Sequence, residues 1–216
     1  MRRIRDATEL LAVVEPLEPH STLIAGPLTT RGLSRHNRAW LVEGADGSPT
    51  AVVLVGRLCR DWWFAKPLLL REDAAQPLAR IIDRSPARGV LGPAEHVGPL
   101  ISHLRRAKRT RSVPWAWVRP PLPRPEVALD PRTRPATIAD LDALVELYRS
   151  FSLDPIPQRQ LAGVLARIFD SGMVVVGEEE GRLVAAMRAE TRSRQYLYWG
   201  GLTVLPESRR PALLER

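Results

Sequence analysis

Four histidines, one cysteine and a few glycine-bearing turns are the groups from which chemistry could be built in this 216-residue sequence. His20, His36, His96 and His103 all lie in the first half, and only His96 and His103 are spaced to share one helix face. Two histidines seven apart are too thin a pattern for zinc without a carboxylate or cysteine to join them, and no metal is expected. Cys59 closes Val55-Gly56-Arg57-Leu58-Cys59, a strand-like run with no motif and no fixed His or Asp partner, so a buried, inert thiol is expected. Ser85 to Pro93 contains two glycines but lacks the Lys-Ser/Thr ending of a phosphate loop and the dinucleotide spacing. A turn into a short strand, then a helix starting at Pro93, accounts for it. Glu178, Glu179 and Glu180 are expected to form a solvated hairpin tip.

The formal charge of +8 raises the question of nucleic acid. Residues 105–134 hold nine bases (Arg105, Arg106, Lys108, Arg109, Arg111, Arg119, Arg124, Arg132 and Arg134) against Glu126 and Asp130, so nearly all of the excess belongs to one segment. Pro114, Pro120, Pro121, Pro123, Pro125, Pro131 and Pro135 rule out a helix or a central strand over most of it, and a basic, proline-rich linker is expected. Trp115 and Trp117 alternate as on a short strand; they could stack bases, but a packed strand explains them as well. No apolar run approaches the ~20 residues of a membrane span. Met1-Arg2-Arg3-Ile4-Arg5-Asp6 leads into no apolar signal stretch, and a cytoplasmic protein is expected.

The elements around these groups repeat loosely. Arg3 to Leu11 and Arg134 to Asp142 each read as a short extended piece turning into a helix, with Asp6 and Glu9 or Thr137 and Asp140 in capping-box positions. A second helix is expected in each half, near 157–170 in the later one, and then a hairpin. The first hairpin is Ala39–Glu43 with Thr50–Val55; the later one is Met173–Glu178 with Arg182–Met187, turning at Gly181. The first half continues with a helix near 73–83, a strand at Gly89–Gly92 and a helix near 93–107, whereas the second continues with a strand from Gln195 to Val204. Of the tryptophan pair in Asp61-Trp62-Trp63-Phe64, one is expected in the core and the other at the junction of the halves.

The order strand, helix, helix, hairpin, long strand, ending in Gly200-Gly201-Leu202-Thr203-Val204-Leu205-Pro206-Glu207-Ser208-Arg209-Arg210, resembles the first two thirds of the GNAT family of N-acetyltransferases. The resemblance is carried by the phrase from Gly201 to Arg210 and covers residues 133–210; extending it over the first half gives a tandem form with a degenerate N-terminal copy. It implies an α/β fold, a mixed sheet flanked by helices in two similar halves: an N-terminal domain over 1–118, a linker over 119–132 and a C-terminal domain over 133–216. It also implies acetyl-CoA as co-substrate and an amine acceptor of unknown identity. Leu202, Thr203 and Val204 would contact the pantetheine arm through their main chain, while Arg209, Arg210 and Ala212 would begin the pyrophosphate loop. The loop's family glycines are replaced by Ala212 and Leu214, and Pro211 offers no N–H. The family's fifth strand and following tyrosine have no counterpart before Arg216, so the second copy reads as truncated.

The expected activity is therefore acyl-CoA-dependent N-acetyl transfer, with no catalytic residue assigned. Glu190 and Tyr198 are the nearest titratable side chains, although a solvated strand position suits each better. Two alternatives remain open: a non-catalytic remnant that binds acyl-CoA or a partner, and a nucleic-acid-binding module using Arg105 to Arg134.

Overall fold

The computed structural model describes residues 1–59, 62–106, 132–149, 161–163, 165, 166 and 174–208, leaving aside the side chains of residues 58, 59, 62, 190 and 199. Trp115, Trp117 and most of the basic, proline-rich segment lie outside the described residues, as does most of the helix expected near 157–170. The chain divides into two compact units, Met1–Val118 with Thr191–Tyr198, and Arg119–Glu190 with Trp199–Arg216.

In the first unit, strand β1 (Arg2–Ile4) leads to helix α1 (Ala7–Val14), which starts where the Asp6 side chain accepts a 2.9 Å hydrogen bond from the Thr8 amide. Glu9 does not close a capping box with Asp6; it pairs with the Arg2 guanidinium, because β1 brings that cation beside the helix. Helix α2 (Thr22–Arg31) is buried from Thr22 to Leu28 and ends at Gly32, whose φ of 59° with ψ of −165° lies in a region open essentially to glycine alone. Strands β2 (Asn37–Glu43), β3 (Pro49–Cys59) and β4 (Trp62–Leu69), helix α3 (Ala75–Arg84), the short strand β5 (Gly89–Val90) and helix α4 (Ala94–Ile101) follow.

The sheet order is β1-β2-β3-β4-β5, antiparallel except for the parallel pair β4–β5. Alternation along β3 divides the core into two layers. Val53 and Val55 pack with Leu78, Ile81 and Ile82 of α3 and Leu100 of α4. Val52 and Leu54 pack on the opposite face with Leu10 and Val14 of α1 and Ile24 and Leu28 of α2. Helices therefore cover both faces of a mixed sheet, the α/β architecture expected. Trp63 is half buried against the α3 layer with the Arg38 guanidinium 5.7 Å from its ring centroid, whereas the Trp62 side chain lies outside the described residues.

Strand β5 is short for an identifiable reason. The Arg88 N–H donates to Trp63 O and the Leu91 N–H to Ala65 O, both at 2.9 Å. The next rung would need an N–H at position 67 to reach the Leu91 carbonyl, and Pro67 has none. The chain leaves the sheet there and enters α4 behind Pro93.

In the second unit, strand β6 (Thr133–Pro135) is followed by a 3-10 turn (Ile138–Asp140) and helix α5 (Leu141–Arg149). The expected capping box is present: the Thr137 N–H donates to the Asp140 carboxylate at 2.6 Å and the Thr137 hydroxyl lies 3.0 Å from it. Strands β7 (Val174–Glu179), β8 (Arg182–Arg192) and β9 (Leu197–Val204) complete a sheet of order β6-β7-β8-β9. The β7–β8 turn requires a positive φ at Gly181, 75°, which glycine adopts without a Cβ clash. Leu144, Val145, Leu147 and Tyr148 of α5 pack on Val174, Val176, Leu183, Ala186 and Leu205, together with Leu161 and Leu165.

Glu178 and Glu179 differ from the expected solvated tip. The Arg134 guanidinium donates to both oxygens of Glu178 at 2.9 Å and both oxygens of Asp140 at 2.8 Å, and Arg132 reaches Glu179 at 2.9 Å. Pairing of β6 with β7 brings these arginines alongside, and Arg134 ties strand, turn and hairpin together. Among the described residues, no helix is long and apolar enough to cross a membrane.

Candidate functional site

Strand β9 carries the residues expected to contact a cofactor, and its own sequence bends it. Gly200 and Gly201 lie in the middle of the strand, and Gly201 adopts φ 63°. That conformation costs any other residue ~1 kcal/mol or more, and in a strand it breaks the pleat locally. A Cβ at Gly201 would stand 2.9 Å from Cζ and Nη1 of Arg188 on β8, so glycine also permits that guanidinium to close over the main chain.

Two further groups fix the bend. The Tyr148 hydroxyl of α5 donates to the Gly201 carbonyl at 3.0 Å, and the Tyr148 ring lies beneath the Arg188 guanidinium, 4.8 Å from Cζ to centroid. Thr203, buried, places its hydroxyl 3.4 Å from the same carbonyl. With two lone pairs, the carbonyl can serve both donors.

Past the bend the strand is asymmetric. Leu202 is 68% exposed, whereas Thr203 and Leu205 are buried. The Leu205 N–H donates to Val184 O at 2.8 Å. Backbone groups alternate sides along a strand, so those of Thr203 also face β8 while those of Leu202 and Val204 are directed toward the opposite edge. Among the described residues β9 is the last strand of its sheet. A bent edge strand with an exposed leucine can accept an extended, amide-bearing chain laid along it, and Arg188 adds positive charge beside the bend.

Leu202, Thr203 and Val204 thus lie together on β9, beside Tyr148 and Arg188, which sequence reasoning missed. The paired glycines within a strand are the available signal; Tyr148 recurs with Leu141, Leu144 and Val145 at helical spacing, which marks it only as one apolar position on a helix face. Pro206–Ser208 form a 3-10 turn whose Ser208 hydroxyl donates to Glu179 at 3.1 Å. Arg209, Arg210 and Ala212 lie outside the described residues, as does the Glu190 side chain, and Tyr198 is half buried on β9.

Other groups singled out by type fall elsewhere. His103 is exposed and does not pair with His96. Instead, ligand-type atoms of His20, Glu95 and His96 lie within 4.8 Å of one another. Spacing could not show this, because His20 comes 75 residues before Glu95. Burial lowers the pKa of His96, and the Glu95 charge foremost, with the Leu69 backbone after it, opposes that shift. Of the nine bases between 105 and 134, Arg106, Arg132 and Arg134 pair with Asp83, Glu179, and Asp140 and Glu178 respectively, which reduces the charge available to a polyanion.

No protein-family model and no curated protein matches the chain. Among solved structures, it is similar over 37% of its length, at 21% identity and a TM-score of 0.30, to a ribosomal-protein-alanine N-acetyltransferase from Brucella melitensis. The match spans 57% of that enzyme's length. Over 99% of its length, at 8% identity and a TM-score of 0.44, it is similar to an acetyltransferase of the GNAT family from Colwellia psychrerythraea, 80% of which is covered.

Proposed function

We propose that this chain is an acyl-CoA-dependent N-acetyltransferase of the GNAT type, with acetyl-CoA lying along the outer edge of β9. The observation that carries the reading is the bend at Gly201 in an edge strand, held by Tyr148 and followed by exposed Leu202. The pantetheine arm is an extended chain bearing amides, and a strand edge is the backbone surface such a chain can pair with. Of the expected contacts Leu202, Thr203 and Val204, Leu202 meets it through its main chain on the outer edge and Thr203, whose backbone groups face β8, supports that edge from within; Arg209, Arg210 and Ala212 begin the loop around the pyrophosphate.

Transfer to an amine requires the thioester beside the nucleophile, a proton acceptor, and a donor for the carbonyl oxygen as it becomes anionic. The outward Leu202 amide supplies that donor; the acceptor amine and the proton acceptor are unassigned. The phrase from Gly201 to Arg210 supports the reading, as does the recurrence among the described residues of a strand, a helix (α1 or α5) and three further strands, with the same neighbour order β1-β2-β3-β4 and β6-β7-β8-β9. On that basis residues 1–118 are a degenerate first copy, 119–132 a linker and 133–216 the copy that binds the cofactor.

Isothermal titration of the full chain with acetyl-CoA tests the reading. One saturable site is expected, lost in Leu202→Pro, which removes an outward N–H at a position where an edge strand tolerates proline. Absence of heat with a folded chain, or unchanged binding by that variant, overturns it.

A further inference from the structure

His96 occupies the first turn of α4, half buried, and its Nε2 is enclosed with no hydrogen-bond partner among the described residues. An enclosed, unmatched polar atom costs free energy unless something fills its place. Two groups of the right kind stand beside it. His20, just ahead of α2, places Nδ1 2.8 Å from Oε1 of Glu95, and the His20 and His96 ring centroids are 6.3 Å apart. All three residues belong to the first unit.

We propose that His20, Glu95 and His96 form a binding site for a divalent transition-metal ion, zinc by the character of its donors, with water completing the coordination. Two imidazoles and one carboxylate suit an ion of borderline softness better than a hard, oxygen-seeking one. The Glu95 carboxylate offsets the positive end of the α4 dipole, which would otherwise disfavour a cation there. A tetrahedron with zinc bonds of about 2.0–2.1 Å spaces its ligand atoms by about 3.4 Å. The observed 4.8 Å spread closes by rotation of His20 and Glu95, whose side chains are 49% and 53% exposed. The ion then clips α4 to the chain entering α2 and gives His96 Nε2 the partner it lacks.

Zinc chloride titrated calorimetrically into the chelator-treated full chain tests the site. One equivalent is expected to bind, and the thermal midpoint to rise with zinc. The double variant His20→Asn, Glu95→Gln alters two exposed side chains; it is expected to weaken binding at least about tenfold and abolish the thermal gain. The variant His103→Asn is expected to bind as the parent does. No saturable binding by the folded chain, or undiminished binding by the double variant with its circular dichroism unchanged, overturns the proposal.

Discussion

The hydroxyl of Tyr148 donates a 3.0 Å hydrogen bond to the main-chain carbonyl of Gly201, so α5 holds the bend in a strand that begins about 50 residues further along the chain. Tyr148→Phe keeps the buried ring and removes only that donor. It is expected to cost about 1 kcal/mol in urea unfolding and to weaken acetyl-CoA binding in calorimetry by more than the stability loss alone explains. Equal binding by the two proteins would separate Tyr148 from the cofactor edge.

Gly201→Ala is the sharper perturbation. The new methyl meets the Arg188 guanidinium and the backbone must hold a left-handed φ, together worth about 1–3 kcal/mol. The expected result is a lower midpoint in thermal melts and loss of the acetyl-CoA titration signal, while Gly200→Ala, at the neighbouring position, loses less of both.

The Arg134 network predicts an acid limb to stability. The Arg134 guanidinium foremost, and the Thr137 backbone amide after it, hold the Asp140 carboxyl well below the usual carboxylate range. A depressed pKa stabilises the fold above the unfolded value, near pH 4, and that contribution is lost as pH falls through the folded one. Asp140→Asn is expected to lower stability by about 1 kcal/mol at neutral pH, from the cap it forms. The gap between parent and variant in thermal melts should stay level from about pH 6 upward and close below about pH 4.

Glu18 works in the opposite sense. Burial, with the Glu15 charge adding to it, raises its pKa above the ordinary 4.5. The folded chain therefore keeps the proton longer than the unfolded one, and stability declines as pH rises from about 4.5 through the folded pKa. Glu18→Gln removes the buried charge, so its thermal midpoint should exceed the parent's at pH 7 and approach it toward pH 4. A constant difference across that range would contradict the assignment.

How much could be read in advance follows physical range. Both hairpins were legible because apolar alternation and a glycine turn act over a few residues, and Thr137 with Asp140 marked a helix start for the same reason. The expected strands Gly89–Gly92 and Gln195–Val204 contain β5 and β9 but overrun them, β5 because Pro67's effect crosses between strands. The contacts of Tyr148 and Arg188 with Gly201, and the meeting of His20 with Glu95 and His96, are set by packing between segments far apart in sequence. Glu178 and Glu179 looked like a solvated tip until β6 supplied their arginines.

Pro67 governs more than the length of β5. With valine there, an amide would become available to Leu91, and the parallel ladder could zip one rung further before the chain turned away. The segment running to Pro93 would then be held flat against β4, delaying the entrance to α4 and drawing Glu95 and His96 away from His20. A missing hydrogen on one strand thus sets where a helix three connections later can begin, and a loss of backbone bonding becomes a device for aiming side chains.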